Sequence, residues 1–136
     1  MTQADSLASP PMTTLRQSLG RQAEDLVAAR LTAAGWALIQ RNARSRYGEI
    51  DLVALDGEAL VFVEVKAGRQ SSRFGPERPI LAVDLRKQRQ VRRLAAAWMQ
   101  ERHDLPRYTQ IRFDAIGVSF DRTGRPVDFE HLAGAF

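Results

Sequence analysis

The amino-acid sequence predicts an α/β fold in which two helices flank one mixed β-sheet, in the order α-β-β-β-α-β. Two segments repeat apolar residues every three or four positions, which is the period of an amphipathic helix. Four other segments are rich in β-branched and apolar residues and are bounded by turn-forming residues. The second helix falls between the third and fourth strands, where a parallel pair needs a long crossover connection.

The first predicted helix covers residues 15–34, and Gly35 is a natural stop behind it. The residues before it are small and polar and contain two adjacent prolines. We therefore expect residues 1–13 to form a flexible tail. The remaining residues 14–136 are enough for a single domain with a buried core.

Three strands are predicted next, at residues 36–42, 49–55 and 60–66. The turn dipeptide Asp56-Gly57 joins the second and third strands into a hairpin. The third strand reads LVFVEVK and is almost continuously apolar. Such a run favours a central strand that is buried on both faces.

The second half of the chain predicts a loop, a helix and another strand. Residues 68–78 are polar and are expected to form the loop. Asp84 is a candidate N-cap for a helix that ends near Glu101, with Val91, Leu94, Ala95 and Trp98 as its apolar stripe. Residues 110–120 alternate as a strand, and the last ten residues are expected to add a short edge strand.

The composition limits the classes of function. Of the 20 basic residues, 18 are Arg and only Lys66 and Lys87 are Lys, against 16 acidic residues. A basic excess favours an anionic partner such as nucleic acid. The absence of Cys excludes a thiol nucleophile and Cys-ligated metals. With no secretory signal and no apolar run long enough to span a bilayer, we expect a cytoplasmic protein without membrane contact.

Acidic residues in two adjacent strands are the main candidates for chemistry. Glu64 and Lys66 share one face of the third strand, and Asp51 and Glu49 share one face of the second, opposite Ile50 and Leu52. Buried charge is costly unless it is paired or binds a metal. Carboxylate oxygens, with the carbonyl of Val65, suit a hard cation such as Mg²⁺.

Two readings of these acids are open on the residues alone. One is a cross-strand charge cluster at a solvated strand end, which is the commoner meaning of an isolated E-x-K. The other is a metal site, favoured because acids are depleted in strands. Glu24, in the middle of the first helix, is either a surface acid or a further carboxylate directed at the same metal.

Four motifs carry a family resemblance over residues 15–103. They are G-x-x-x-E in the first helix, RYGEIDL on the second strand, VFVEVK on the third, and the basic helix RKQRQVRRLAAAW. On these motifs the chain resembles the YraN-type bacterial family, predicted endonucleases distantly related to Holliday-junction resolvases. That family is assigned to the PD-(D/E)xK superfamily, so the resemblance implies a restriction-endonuclease-like core.

The resemblance also implies roles for particular residues. The metal-binding carboxylates would be Asp51, Glu64 and Glu24, the last one directly or through water, and Lys66 would position water or stabilise charge. Mg²⁺ is the implied cofactor, with Mn²⁺ as a substitute. Two further residues are implied in support of the site, Glu49 and Gln88. The sequence departs from the superfamily pattern at Ile50, Ala67 and Trp98, none of which removes a catalytic group.

Basic residues around these motifs are candidates for DNA contact, although a solvated helix face explains the helical ones equally well. On the second helix they are Arg86, Lys87, Arg89, Arg92 and Arg93. In the connections beside the acidic strands they are Arg44, Arg46, Tyr47, Arg69 and Arg73. No base-reading motif is present, so recognition of backbone or DNA shape is expected.

The sequence thus predicts a Mg²⁺-dependent DNA endonuclease. The resemblance implies branched or otherwise structured DNA as substrate, and a homodimer because resolvases cut two strands. The rival hypotheses are a nucleic-acid-binding module without turnover and a structural protein with a salt-bridge cluster. His103 and His131 are expected on the surface, and Asp114 is expected at a strand end or turn.

Overall fold

A computed structural model of the chain describes residues 12–71, 75–76 and 78–136. The helices are α1 (Met12–Ala33) and α2 (Leu85–Gln100), and a short 3₁₀ turn covers Pro79–Ala82. The strands are β1 (Ala37–Ser45), β2 (Gly48–Asp56), β3 (Ala59–Ser71), β4 (Gly75–Pro76), β5 (Gln110–Phe120) and β6 (Pro126–Leu132).

The strands form one mixed sheet in the spatial order β1-β2-β3-β5-β6, and β4 pairs with the end of β3. The pair β3 and β5 is parallel, whereas the other neighbours are antiparallel. The connection between the parallel strands contains α2, as their geometry requires. The predicted α/β class and element order are confirmed, and the architecture is compatible with a restriction-endonuclease-like core.

Each helix covers one face of the sheet. The α1 face is closed by buried side chains of the helix against the middle strands: Ala23, Val27, Leu31, Leu52, Val61, Val63 and Ile116. The α2 face is closed by a second set: Ile50, Val53, Leu60, Phe62, Leu94, Ala95 and Trp98. Full burial of the Val, Leu, Ile and Phe side chains in these two sets stabilises the fold by roughly 1.5–3 kcal/mol each. Because β3 contributes to both sets, it is the central, doubly buried strand that its apolar run predicts.

Local signals place the second helix as expected. The N–H of Lys87 donates to Oδ1 of Asp84 at 2.9 Å, so Asp84 is the N-cap. The four residues of the predicted apolar stripe are all buried. Gly48, in the tight β1–β2 connection, has a φ of +137°, and a Cβ there would lie 3.0 Å from Nε2 of Gln90 on α2. Glycine therefore allows this hairpin to approach α2 closely.

Two predicted boundaries are wrong. Helix α1 begins at Met12, so the expected tail of residues 1–13 overlaps the helix; residues 1–11 lie outside the described ranges. The expected loop at 68–78 begins too early, because β3 remains paired with β5 as far as Arg69 and with β4 at Gln70 and Ser71. Among the described residues, no helix combines the length and apolar character needed to cross a membrane.

Candidate metal and nucleic-acid site

Asp51 and Glu64 lie where β2 and β3 stop pairing. The paired register ends at Leu52 and Val63, which are the immediate sequence neighbours of Asp51 and Glu64. Beyond that point the N–H of Val65 donates to Oδ2 of Asp51 at 2.8 Å. The carboxylate of Asp51 thus accepts the backbone N–H that a carbonyl of the partner strand would accept if the ladder continued. The separation of the two strands opens a place for carboxylates beside the core.

The alternation of β2 breaks at Asp51. Ile50 packs in the α2 core and Leu52 in the α1 core, although residues two apart on a regular strand share a face. Strand parity predicts Ile50 and Leu52 on one face, and that prediction is wrong. The paired residues of β1 on either side of Asn42 are those that face Ile50 and Leu52, and Asn42 has a φ of +53°. The break in alternation therefore lies opposite this left-handed residue, at Asp51, and the side chain of Asp51 belongs to neither apolar core.

Glu64 is a buried carboxylate with only one compensated oxygen. The residue is 2% exposed, and its Oε1 lies 3.7 Å from Nζ of Lys66 and 3.3 Å from Nζ of Lys87. Within the described part of the chain, its buried Oε2 has no hydrogen-bond partner. We call Asp51, Glu64, Lys66 and Lys87 the carboxylate site.

Burial, and after it the neighbouring charge of Glu64, raises the pKa of Asp51 from 3.8 to about 7. The N–H of Val65 and the two lysine ammonium groups act in the opposite direction but do not offset the rise. The carboxylates of Asp51 and Glu64 repel each other and are poorly solvated, so the nearby positive charge does not fully compensate them. Perturbations of this kind concentrate at functional sites.

Glu24 approaches the carboxylate site from α1. Burial raises its pKa, and so do the charges of Asp51 and Glu49, while Arg41 lowers it. With its nitrogen turned toward the acids, the amide of Asn42 donates to Glu24 Oε1 at 3.1 Å and to Glu49 Oε1 at 3.0 Å. The amide of Asn42 thus joins the helix acid to the strand acid.

A pocket of about 610 Å³ borders Glu24 between α1 and the first two strands. Its lining is polar and of mixed charge: Gly20, Arg21, Glu24, Asp25, Arg41, Asn42, Arg44 and Glu49. Two ion pairs lie along it, Arg41 with Asp25 at 2.6 Å and Arg44 with Glu49 at 2.9 Å. Glu49 therefore lies on the α1 side of the carboxylate site, bound by Asn42 and Arg44.

The donor set of the carboxylate site fits a hard divalent cation. It offers carboxylate oxygens, which Mg²⁺ prefers, and one of them is buried without a partner. Across the described residues, however, no group of three or more His, Asp or Glu side chains is arranged to hold a metal ion. Glu24 does not join Asp51 and Glu64 in a three-carboxylate group, so a metal ion would be held by the two carboxylates of Asp51 and Glu64.

The basic residues predicted to contact DNA separate into exposed and inward-facing ones. Exposed side chains are those of Arg44, Arg46, Tyr47, Arg69, Arg86, Arg89, Arg92 and Arg93. Arg46 donates to the hydroxyl of Tyr47 at 2.6 Å, so these two act as a unit at the hairpin tip. Arg73 lies outside the described residues.

Two residues of α2 have other partners than the sequence suggested. Lys87 is not among the exposed basic residues of α2, because its ammonium reaches Glu64 in the carboxylate site. Gln88 donates from Nε2 to the carbonyl of Val83 at 3.1 Å, which anchors the start of the helix. Sequence reasoning also missed Asn42; its only signal is that asparagine tolerates a left-handed backbone.

Asp114 is neither at a strand end nor in a turn. It is 0% exposed in the middle of β5 and accepts hydrogen bonds from Arg112, His131 and the N–H of Gly134. We call these four residues the C-terminal clamp. The expectation that His131 is a surface residue is also wrong, since it is partly buried against Asp114 and Trp36. The clamp fastens β6 and the following residues to β5.

Comparison with known proteins assigns the chain to a family. The fold defines an α/β protein compatible with a restriction-endonuclease-like core. The family model for the uncharacterised protein family UPF0102 matches residues 23–118. The chain therefore belongs to this family, which is the YraN-type family that its motifs resemble, and that identification is confirmed.

Individual relatives match over most of the chain. A UPF0102 protein of Streptomyces griseus is 49% identical over 119 residues, which cover 88% of this chain and 96% of that protein. A UPF0102 protein of Rhodococcus opacus is 44% identical over 121 residues, with coverages of 88% and 96%. A UPF0102 protein of Geobacter metallireducens is 41% identical over 120 residues, with coverages of 88% and 93%. The family range includes every residue of the carboxylate site.

Proposed function

We propose that this protein is a metal-dependent DNA endonuclease that hydrolyses phosphodiester bonds at the carboxylate site. The observation that carries the proposal is the state of Glu64. It is 2% exposed, two lysines meet its Oε1, and its Oε2 has no partner among the described residues. An unsatisfied buried carboxylate oxygen costs free energy, and a bound cation is the direct way to recover it.

Asp51 and Glu64 are the residues that would hold the cation, with Glu24 acting through water. Mg²⁺ would supply a Lewis acid that offsets negative charge on the phosphodiester. In the hydrolysis, the oxygen of a water molecule bonds to phosphorus and one phosphorus–oxygen bond to a sugar breaks. The water loses a proton, and the leaving oxygen gains one.

Lys66 supplies the ammonium group of this proposal. Its side chain is 33% exposed and lies on the strand face of Glu64, so it can reach both the site and an incoming phosphate. An ammonium there can orient the attacking water and stabilise the charge that develops on the phosphoryl oxygens. Lysine suits this position because its charge is compact and its stem is flexible.

The exposed arginines support binding of DNA without readout of sequence. Those of α2 lie on the helix that also supplies Lys87, and those of the β1–β2 hairpin lie on the hairpin that also supplies Asp51. Arginine contacts with phosphates position a duplex and make the affinity depend on salt. Branched or structured DNA is the proposed substrate, and a homodimer is the proposed form for cutting two strands.

A metal titration tests the proposed function. The full chain is incubated with fluorescent linear, flapped and four-way DNA under increasing Mg²⁺ or Mn²⁺, with a chelator as blank. We expect metal-dependent cleavage that Asp51→Asn and Lys66→Met each reduce at least about a hundredfold. Asp104→Asn, in the exposed loop after α2, is the matched control and should cleave as wild type does.

The other outcomes separate the rival functions. DNA binding without cleavage at any metal concentration supports a non-catalytic nucleic-acid-binding module. Cleavage by Asp51→Asn at the wild-type rate shows that the carboxylate site is not the active site. If the protein neither binds nor cleaves DNA, the hypothesis of a structural charge cluster is favoured. The molar mass of the protein, free and bound to a four-way junction, tests the homodimer.

A further inference from the structure

We propose that Lys87 is a positioning residue of the carboxylate site. From α2 it holds Oε1 of Glu64 and, together with Lys66, balances the acids while no metal is bound. Oε2 of Glu64 is thereby left for the cation. This inference deepens the proposed function, since it concerns the same site, but its main readouts need no catalytic activity.

The geometry favours Lys87 over Lys66 as the closer partner of Glu64. Nζ of Lys87 lies 3.3 Å from Oε1, whereas Nζ of Lys66 lies 3.7 Å from the same oxygen. The side chain of Lys87 is also less exposed, at 27% against 33%. Breaking a buried ion pair on one side is strongly destabilising, so the lysine of α2 is not an incidental neighbour.

The choice of residue type supports the same role. The chain meets its need for positive charge with 18 arginines, and its two lysines meet on one carboxylate oxygen. A guanidinium is a planar fork that tends to engage both oxygens of a carboxylate. Lysine is a compact charge that can occupy one oxygen and leave the other open.

Lys87 also differs from the other basic residues of its helix. Arg86, Arg89 and Arg93 are exposed, as expected of side chains that track phosphates. The N–H of Lys87 is fixed by the Asp84 cap, which sets the start of α2 and hence the point from which the side chain reaches Glu64. The second helix therefore couples its own position to that of a proposed metal ligand.

A divalent cation that binds Oε2 is repelled by the ammonium of Lys87. Removal of that positive charge should therefore strengthen metal binding while it weakens the metal-free protein. Charges a few ångström apart interact strongly in a partly buried site, so both changes should be large enough to measure. A simple contact between Lys87 and DNA would alter neither quantity.

Lys87→Met removes the charge and keeps most of the side-chain length. In the presence of chelator, we expect its melting temperature to fall by about 5 °C. Titrated with Mn²⁺ and followed by the electron paramagnetic resonance of the free ion, it should bind at least about fivefold more tightly than wild type. Arg107→Met, in the exposed loop after α2, is the matched control and should change neither value.

Cleavage kinetics add a third readout. Lys87→Met should lower kcat at least about tenfold, because Glu64 is no longer held, and should leave KM for DNA within about twofold. Arg86→Met, its exposed neighbour, should instead raise KM. If Lys87→Met instead raised KM and left kcat unchanged, Lys87 would be a DNA-contacting residue like Arg86, and the inference would be wrong.

The absence of cysteine allows a chemical rescue. Lys87→Cys carries the only thiol in the chain, so alkylation in urea with 2-bromoethylamine, followed by refolding, restores an ammonium at that position alone. Iodoacetamide gives a neutral adduct as control. We expect the aminoethyl form, and not the amide form, to recover the wild-type melting temperature and Mn²⁺ affinity.

The possible failures are distinguishable. If Lys87→Met matches Arg107→Met in melting temperature, or binds Mn²⁺ no more tightly than wild type, the inference is wrong even when the enzyme cleaves DNA. If wild type cleaves no DNA but the melting-temperature, Mn²⁺-affinity and chemical-rescue results hold, the inference stands and the proposed nuclease activity fails.

Discussion

Two buried acids in neighbouring strands of this protein are compensated very differently. Asp114 in β5 is 0% exposed and accepts four hydrogen bonds from Arg112, His131 and Gly134. Glu64 in β3 is 2% exposed, and one of its oxygens has no partner among the described residues. The registers place Glu64 opposite Ala115, next to Asp114, so the two acids share one region of the sheet.

The pKa values reflect this difference. Burial by itself raises the pKa of Asp114, but hydrogen bonds from His131, Arg112 and Gly134 outweigh it and lower that pKa below 3.8. In the carboxylate site the pKa of Asp51 rises to about 7, through burial and the charge of Glu64. A buried acid with hydrogen-bond partners stabilises a fold. A buried acid that lacks them is expected mainly at functional sites.

The largest expected effect is on the satisfied acid. Asp114→Asn should lower the free energy of unfolding at pH 7 by about 3 kcal/mol, because it removes the buried charge partner of Arg112, which keeps only the more exposed Asp56. Since the pKa of Asp114 is lowered on folding, this loss is full above pH 3.8 and disappears as the pH falls through the lowered pKa. Urea unfolding at pH 7 and pH 3 measures both.

A matched control for the clamp is Asp128→Asn, an exposed acid of β6. Its free energy of unfolding should stay within about 0.5 kcal/mol of wild type. Equal effects of the two substitutions would mean that the clamp contributes no more than a surface pair, and the comparison between the two acids would collapse.

The unsatisfied site should respond in the opposite direction. Asp51→Asn should raise the free energy of unfolding at pH 8 by about 2 kcal/mol, because it removes one of two repelling carboxylates and keeps an oxygen for the N–H of Val65. The folded pKa of Asp51 is raised, so its stabilising contribution is present below pH 3.8 and is lost as the pH rises to about 7. The gain from the variant should therefore vanish near pH 4.

Urea unfolding of both proteins between pH 4 and pH 8 checks this prediction. Addition of Mg²⁺ should restore stability to wild type at pH 8 and have little effect on Asp51→Asn, because ligand binding to the folded state is stabilising. A variant that is less stable than wild type at pH 8 would show that Asp51 is a structural acid like Asp114.

The smallest effect on stability is expected at an exposed pair. Arg44→Ala breaks the pair with Glu49, whose side chains are 84% and 35% exposed respectively, and should change the free energy of unfolding by less than about 0.5 kcal/mol. If Arg44 contacts a phosphate, the slope of log DNA affinity against log salt concentration should become shallower by about one in the variant. Fluorescence anisotropy at roughly 50 to 200 mM salt measures this slope. An unchanged slope would show that Arg44 does not contact a phosphate.

Much of the fold follows from local pattern. The strand at Gln110–Phe120 has the bounds that its alternation predicts, and Asp84 caps α2 as its type and place predict. The predictions fail where a tertiary contact extends or interrupts a pattern. β3 continues through polar residues because β5 pairs with it as far as Arg69 and β4 pairs with Gln70 and Ser71, and no periodicity in those residues carries that information.

The candidate site was predictable in part. Strand parity places Glu64 and Lys66 together, and the structure has them 3.7 Å apart. Parity fails at Asp51, because the left-handed Asn42 on the neighbouring strand interrupts both strands together. The contact of Lys87 with Glu64 was also not predictable, because helical spacing indicates which residues share a face but not which of them reaches the sheet.

The sequence by itself determined the order of elements, the two apolar faces, and the acids and lysines available for chemistry. It could do so because helix and strand periods and caps are local properties of the chain. Only the tertiary structure decided which buried acid is satisfied. Asp114 meets Arg112 within its own strand but His131 and Gly134 from later in the chain, and Glu64 meets Lys87 from α2. Compensation of a buried charge depends on partners brought from distant segments, and that is settled by packing rather than by neighbours in sequence.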